Sequence, residues 1–459
     1  MPPLHVGIVG GGLGGMATAC AVAKAGLKVT VLEQAEEVKE IGAGIQMTPN
    51  VSRFLIRWGV DQVLGNSLVE FDELNLRKKD GTLIGHLKVK DTVRRQFGFP
   101  WWTVHRMHLL WGFAEVAESE GVETVLGTRI EKIDWTSSEK VKVTSTTGKQ
   151  WEFDLVIGAD GVNSAIRKNI MPEVKPKPPN GNCAYRATVP YDQIRQDPVS
   201  KELVKKVTME VWMAPKSYII SYPMSAATIF NMVLSHHVDH LVEQTEDIDM
   251  EVDFRQRYAD YDPRIKRVVD MVPEARRWPL LVTGPLKSWS TPQKNVVLLG
   301  DAAHSMVNHM AQGAATAIED GAFLAKTLSK VVDGKLSLAE AIKIYEDTRM
   351  DKVAAKQRVS YLNGFMWQIP EGELTEARNK AMSAELRDEF AKYSSNLWKD
   401  PDTTSAVYGY DAERDADMAI DAYITKSQFN GDVTQHEVDK YIGWWWPAGR
   451  KNELQYSKL

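Results

Sequence analysis

HVGIVGGGLGGMATACAVAKAGLKVTVLEQA, residues 5–35, reads as strand, glycine turn, helix, strand and acid in unbroken succession. Residues 6–9 are an apolar run that predicts a strand, and residues 17–25 carry a helix that Gly26 stops. Gly10, Gly12 and Gly15 stand at G-x-G-x-x-G spacing, which lets the backbone turn tightly and a pyrophosphate approach the helix N-terminus. Residues 29–32 make the second strand. Glu33 lies 18 residues after Gly15, where a carboxylate can accept hydrogen bonds from a ribose diol. Glycine spacing alone is weak evidence; with strand, helix, strand and acid all in register it predicts a dinucleotide-binding βαβ unit.

Two later stretches repeat the theme. Asp154-Leu155-Val156-Ile157-Gly158-Ala159-Asp160-Gly161 and Asn295-Val296-Val297-Leu298-Leu299-Gly300-Asp301 are apolar strands that each deliver an aspartate at the C-terminal end, where open α/β sheets bind ligands. After the second, residues 311–322 open a helix with small residues whose N–H groups can face an anion. Together the three elements resemble the FAD-binding signature of the flavin-dependent aromatic monooxygenases related to p-hydroxybenzoate and salicylate hydroxylases, over about residues 4–360. The fold this implies is α/β: a Rossmann-like FAD-binding domain of the p-hydroxybenzoate hydroxylase type, an inserted antiparallel substrate sheet and C-terminal helices.

The resemblance assigns roles position by position. Glu33 looks like the adenosine-ribose ligand and Asp301 like the residue that bonds the ribityl chain near the pyrophosphate. Arg106 matches an arginine packed over the flavin side of the cofactor, its plain alternative being a solvated arginine at a helix start. Ile41-Gly42-Ala43-Gly44-Ile45-Gln46 matches the loop lining the isoalloxazine, with Gly44 and Gln46 as cofactor contacts. Asp160 and Gly161 match a motif implicated in FAD and nicotinamide binding, unless Asp160 is only a turn former. Gly313 and Ala314 match backbone positions beside the flavin ring.

Between the flavin motifs the period changes. Residues 184–189, 207–212, 217–222 and 228–234 read as successive antiparallel strands, a substrate-binding sheet. Helices are expected over 249–259 and 263–271, then through 315–393, with an irregular, aromatic-rich tail to 459. The boundaries follow as 1–175 and 289–360 for the two parts of the FAD domain, 176–288 for the sheet and 361–459 for the C-terminal region. The proline-rich stretch 172–179 serves as a linker.

The 459 residues suffice for two or three domains at about 100–200 residues each. A net charge of -5, from 56 basic and 61 acidic residues, supplies no basic field for nucleic acid. Two cysteines, Cys20 and Cys183, argue against a disulfide framework and fit a reducing compartment. No apolar stretch approaches the ~20 residues of a membrane span, the short Trp444-Trp445-Trp446 run included, so a cytoplasmic protein is expected. The 14 tryptophans and 17 methionines either fill cores or line a wide aromatic pocket.

The resemblance also implies a reaction. NAD(P)H reduces FAD, dioxygen adds at the flavin C4a position, and one oxygen of the hydroperoxide passes to an electron-rich aromatic ring, by phenol hydroxylation or indole epoxidation. No metal is needed, and His236, His237 and His240 lack partners at ligand spacing. Arg186, mid-strand among apolar neighbours, either faces solvent or is an interior cation; in fungal indole-oxidising members of the family the arginine of this strand faces flavin and substrate. Tyr222 matches a tyrosine that hydrogen-bonds substrate, or is a core tyrosine with a satisfied hydroxyl. The chain departs from the family at Asn308-His309-Met310-Ala311-Gln312-Gly313, where Pro-Tyr is usual. That points away from simple salicylate chemistry and toward a bulky fungal natural product such as an indole alkaloid. His309 is either an acid or base near neutral pH or a packed loop histidine. The competing readings are a salicylate-type decarboxylating hydroxylase, or a flavin dehydrogenase or reductase on the same frame.

Overall fold

The computed structural model describes residues 4–37, 43–136, 140–387 and 394–427. Ile41 and Gly42 of the expected flavin loop and the Trp444–Trp446 run lie outside them.

The first sheet is parallel, in the order Val296–Leu298, Leu155–Gly158, His5–Val9, Lys28–Leu32, Glu123–Val125. Its central strands are buried on both faces, which is why they read as continuous Val/Ile/Leu runs rather than alternating ones. Register pairs Val9 with Gly158 and Gly158 with Leu298. The glycine turn, the Asp160 turn and the Asp301 turn therefore emerge side by side from one edge. Helix Leu13–Lys24 follows the first turn and packs on helix Gly313–Val332 through small residues: a Cβ at Gly321 would stand 2.5 Å from Thr18 Oγ1.

The second sheet has seven strands, in the order Arg277–Pro279, Asn182–Pro190, Ile229–His237, Ser217–Met224, Thr208–Ala214, Glu73–Lys78, Leu83–Lys88. All pairs are antiparallel except Thr208–Ala214 with Glu73–Lys78. The four expected strands are present, but the sheet also takes two strands from the segment assigned by sequence to the FAD domain. Leu74 and Leu76 alternate with polar residues as a half-buried strand should, yet alternation does not say which sheet the strand joins.

Helix Leu338–Trp367, thirty residues long and started by a Ser337/Glu340 capping box, runs straight through the boundary drawn at 360. The tail is helical at Pro401–Val407 and Ala412–Thr425 rather than irregular. The helix expected at 249–259 is a π turn, Met250–Arg255, followed by a short 3-10 turn. Among the described residues no helix is long and apolar enough to cross a membrane.

Candidate flavin and substrate site

One cavity of about 490 Å³ runs from the glycine turn to the face of the second sheet. At its first end lie Gly12, Leu13 and Gly14, at the N-terminus of a helix that no side chain caps. The first-turn N–H groups have no intrahelical partner and are left to a ligand. Gly10 and Gly15 act differently, by shaping the turn. Gly10 has φ +105°, and a Cβ on Gly15 would lie 1.9 Å from the Gly10 oxygen. Glu33 accepts from Gly11 N at 2.5 Å and Ala35 N at 2.8 Å, so its carboxylate is anchored against the turn.

Asp301 and Gly300 line the middle of the cavity with Ala159, Gly161 and Val162. The Asp160 carboxylate, by contrast, is turned to its own helix. It accepts from Ser164 Oγ, Ala165 N and Ile166 N at 2.5, 2.6 and 3.1 Å, the work of a turn former. The cavity here is lined by Ala159, Gly161 and Val162, which flank Asp160. Arg167, fully buried, donates to Val162 O and Ala302 O at 2.5 and 2.7 Å and so ties the two aspartate turns together. Sequence reasoning missed Asp320, which sits inside an apolar helix. It accepts from Gly300 N at 3.2 Å and lies 2.6 Å from His304 Nε2, holding the turn that presents Asp301.

Beyond these, Gly313 and Ala314 stand at the uncapped start of a second long helix, after Ala311 in the left-handed region at φ +54°. The same cavity is lined by Ala43, Gly44, Ile45, Gln46 and Arg106. Gln46 Oε1 is buried without a hydrogen-bond partner, as is Asn308 Oδ1, and both residues line the cavity. A buried orphan acceptor costs about 1–3 kcal/mol unless a ligand donor meets it. Two uncapped helix N-termini, an anchored acid beside the turn and orphan amide oxygens are the groups that pyrophosphate, ribose and a polar heterocycle require. The chain fits FAD.

The substrate end is closed by Tyr218, Ile220, Tyr222 and Val233 of the sheet, with Trp367 and Trp398 from the C-terminal region. Among the described residues, these two tryptophans line the pocket. Arg186 also lines it, with its guanidinium 5.4 Å from the centre of the Trp278 ring. Tyr222 lies here too, but its hydroxyl donates to Gly44 O at 2.8 Å while Asn231 Oδ1 accepts from Gly44 N at 2.8 Å. The two residues clamp the flavin loop to the substrate sheet, the satisfied-tyrosine alternative with a positional consequence. His309 is buried, with Asn182 Nδ2 2.9 Å from Nε2 and Tyr218 Oη 2.7 Å from Nδ1. Burial pushes it down to about 3, which supports the packed-histidine alternative, a neutral imidazole near neutral pH.

A dinucleotide cradle opening directly onto an aromatic chamber is the arrangement of an FAD-binding enzyme. The family model described as FAD binding domain matches residues 4–359, and the chain belongs to that family. It is 31% identical over 425 residues to the FAD-dependent monooxygenase OpS4 of Beauveria bassiana, covering 91% of this chain and 97% of the relative. It is 31% identical to the 3-hydroxybenzoate 6-hydroxylase of Klebsiella oxytoca, covering 76% of this chain and 84% of that protein. The 6-hydroxynicotinate 3-monooxygenase of Bordetella bronchiseptica is likewise 31% identical, over 79% of this chain and 92% of that protein. The fold is that of CtdE solved with FAD and a substrate, at TM-score 0.75 and 20% identity, covering 92% of this chain and 98% of that one. A salicylate hydroxylase substrate complex follows at TM-score 0.72 and 19% identity, covering 91% and 98%. The protein is an FAD-dependent monooxygenase.

Proposed function

We propose that the protein uses NAD(P)H and dioxygen to place one oxygen atom on an electron-rich, hydroxyl-bearing aromatic ring. When bound, FAD supplies hydride acceptance and oxygen activation. The chain's own residues do the rest. Gly12, Gly14 and Gly313 offer backbone N–H groups to the cofactor, with Asp301 beside them, and Gln46 supplies an acceptor. Trp367, Trp398, Ile220 and Val233 keep the reacting end dry and stack a flat ring. Arg186 places a cation in the same chamber, where negative charge develops on a ring oxygen.

The observation that carries this reading is the single cavity joining the uncapped glycine turn to the Trp367–Trp398 chamber. Relatives named for 3-hydroxybenzoate and 6-hydroxynicotinate support a hydroxylated ring as substrate. A second reading, epoxidation of an indole in a bulky fungal natural product, rests on Asn308 and His309 in place of Pro-Tyr and on Arg186. The two buried free cysteines support a cytoplasmic setting.

The test is NADPH and NADH oxidation by FAD-loaded protein with phenols, salicylates, hydroxynicotinates and indole alkaloids, products followed by mass. A panel member that both accelerates oxidation and gains one oxygen atom supports the reading and chooses between its forms. Oxidation of NAD(P)H with no oxygenated product from any member would favour a reductase.

A further inference from the structure

Ala184, Leu280 and Val307 are buried, at 0, 6 and 0% exposure, and form a small apolar cluster separate from the main cores of the two sheets. On one side the cluster packs against Val233, which lines the flavin and substrate cavity. On the other it packs against Val282 and Tyr361, which line a second cavity of about 370 Å³ beneath the proline-rich linker. A single patch of buried apolar side chains therefore separates the two cavities. The sequence explains its position. Ala184 lies two residues before Arg186 on one strand and so points to the same face, and Val233 is the cross-strand partner of Arg186. Val307 stands between Met306 and Asn308, both of which line the inner cavity.

The backbone around this patch is held by hydrogen bonds that leave it only apolar side chains. Ser360 Oγ donates to Val307 O at 2.7 Å, and Gln357 Nε2 donates to Thr283 O and Ser305 O at 2.9 and 3.1 Å. Lys177 and Val282 exchange both backbone hydrogen bonds at 2.9 Å. A buried water needs two to four polar partners, and Ala184, Val233, Leu280 and Val307 offer none from their side chains. The outer cavity, by contrast, carries the exposed Glu173, Lys175 and Lys177 and is open to solvent. Between a wet outer cavity and a chamber that must stay dry lies a layer that ions and water cross at high cost and a small apolar molecule does not.

We propose that the Ala184–Leu280–Val307 cluster is the passage by which dioxygen enters the chamber from the outer cavity. The proposal rests on dioxygen being the protein's oxidant. FAD and a substrate ring share the inner cavity, so a separate apolar entry lets the gas arrive while both are in place. Ala184 has the smallest side chain of the three and sets the bore. No bond forms or breaks in the passage, and none of its side chains titrates.

The experiment uses FAD-loaded protein, photoreduced without air and mixed rapidly with oxygenated buffer, the return of flavin absorbance giving the rate constant for dioxygen. A parallel mixing uses ferricyanide, a charged oxidant that takes electrons from the flavin without crossing an apolar layer. Ala184→Leu fills the passage and lowers the dioxygen rate constant about ten-fold, with the ferricyanide rate and FAD affinity unchanged. Val307→Ile, a milder enlargement that keeps the core foldable, lowers it by less. Leu280→Ala, which widens the passage, does not lower it. Equal dioxygen rate constants in the wild-type protein and the two enlarged variants overturn the proposal, as do changes that ferricyanide follows in parallel or a Leu280→Ala protein slowed as much as Ala184→Leu. Each of those results leaves the oxygenase reading intact. A wild-type reduced flavin that dioxygen does not reoxidise contradicts that reading itself, and the passage with it.

Discussion

Gly44 and Gly12 are both cavity glycines, and they are glycine for opposite reasons. A Cβ at Gly44 would lie 2.5 Å from Tyr222 Cε2, so the space is denied by the protein itself. At Gly12 φ is -71° and nothing lies within 4 Å, so the space is open and belongs to the ligand. Gly12→Ala is therefore expected to leave the melting temperature of the FAD-free protein unchanged while abolishing FAD retention on a desalting column. Gly44→Ala strains the clamp by about 1–3 kcal/mol and lowers both stability and FAD affinity, the latter by about ten-fold in a flavin-fluorescence titration. The buried histidines set an acid limit. His236 and His309 are held down to about 3 by burial, against an ordinary 6.5, so the unfolded chain takes up their protons first as pH falls. Their stabilising contribution is complete above about 6.5 and is lost between there and about 3. The slope is about 1.4 kcal/mol per pH unit per histidine well inside that window. Chemical denaturation at pH 7 and pH 5 measures it, and His236→Asn, if folded, shows roughly the slope of one histidine fewer.

The helix Gly313–Val332 is the element on which the site depends, and a buried ion network fixes it. Arg349 donates to Glu319 and Asp320 at 2.9 Å with all three side chains inaccessible, and Lys356 reaches Glu319 at 2.5 Å. Asn50 links Glu319 to Gln312, the residue before the helix start, at 2.6 and 3.0 Å. Removing one partner of a buried pair costs about 3–5 kcal/mol because the other charge is stranded. Lys356→Met is thus expected to lower holoenzyme stability by about that amount, and Lys356→Met with Glu319→Leu by less, in urea titrations followed by flavin release. The helix itself was legible from the small residues that open it. The network was not, because Arg349 and Lys356 lie on a different helix and become partners of Glu319 only after the two helices pack. Asp160 shows the converse: the motif was read correctly as a turn at a strand end, but sequence could not say that its carboxylate faces the following helix rather than the cavity.

At the scale of the molecule, the site exists only where two sheets and the C-terminal region meet. Tyr222 and Asn231 hold Gly44 from the substrate sheet, and Thr103 Oγ1 donates to Pro223 O at 2.5 Å across the same seam. The helix Ala412–Thr425 and its N-cap are tied to Arg57 through Asp411 and Glu413 and to Lys352 through Asp415. The parallel sheet was legible because each βα turn is local in sequence. The full substrate sheet was not, since its Glu73–Lys78 strand pairs with Thr208–Ala214, more than a hundred residues away. For the same reason Trp398 gave no signal as a pocket wall; its position depends on contacts such as its Nε1 donating to Met310 Sδ at 3.1 Å. If this assembly places oxygen from dioxygen on an aromatic ring held beside FAD, the label of the gas must appear in the product. Turnover under isotopically heavy dioxygen, with the substrate found by the NAD(P)H screen, decides the matter. One heavy oxygen atom is expected in each product molecule, in step with NAD(P)H consumed. Product oxygen drawn from water, or NAD(P)H oxidised with only hydrogen peroxide formed, would refute the assignment.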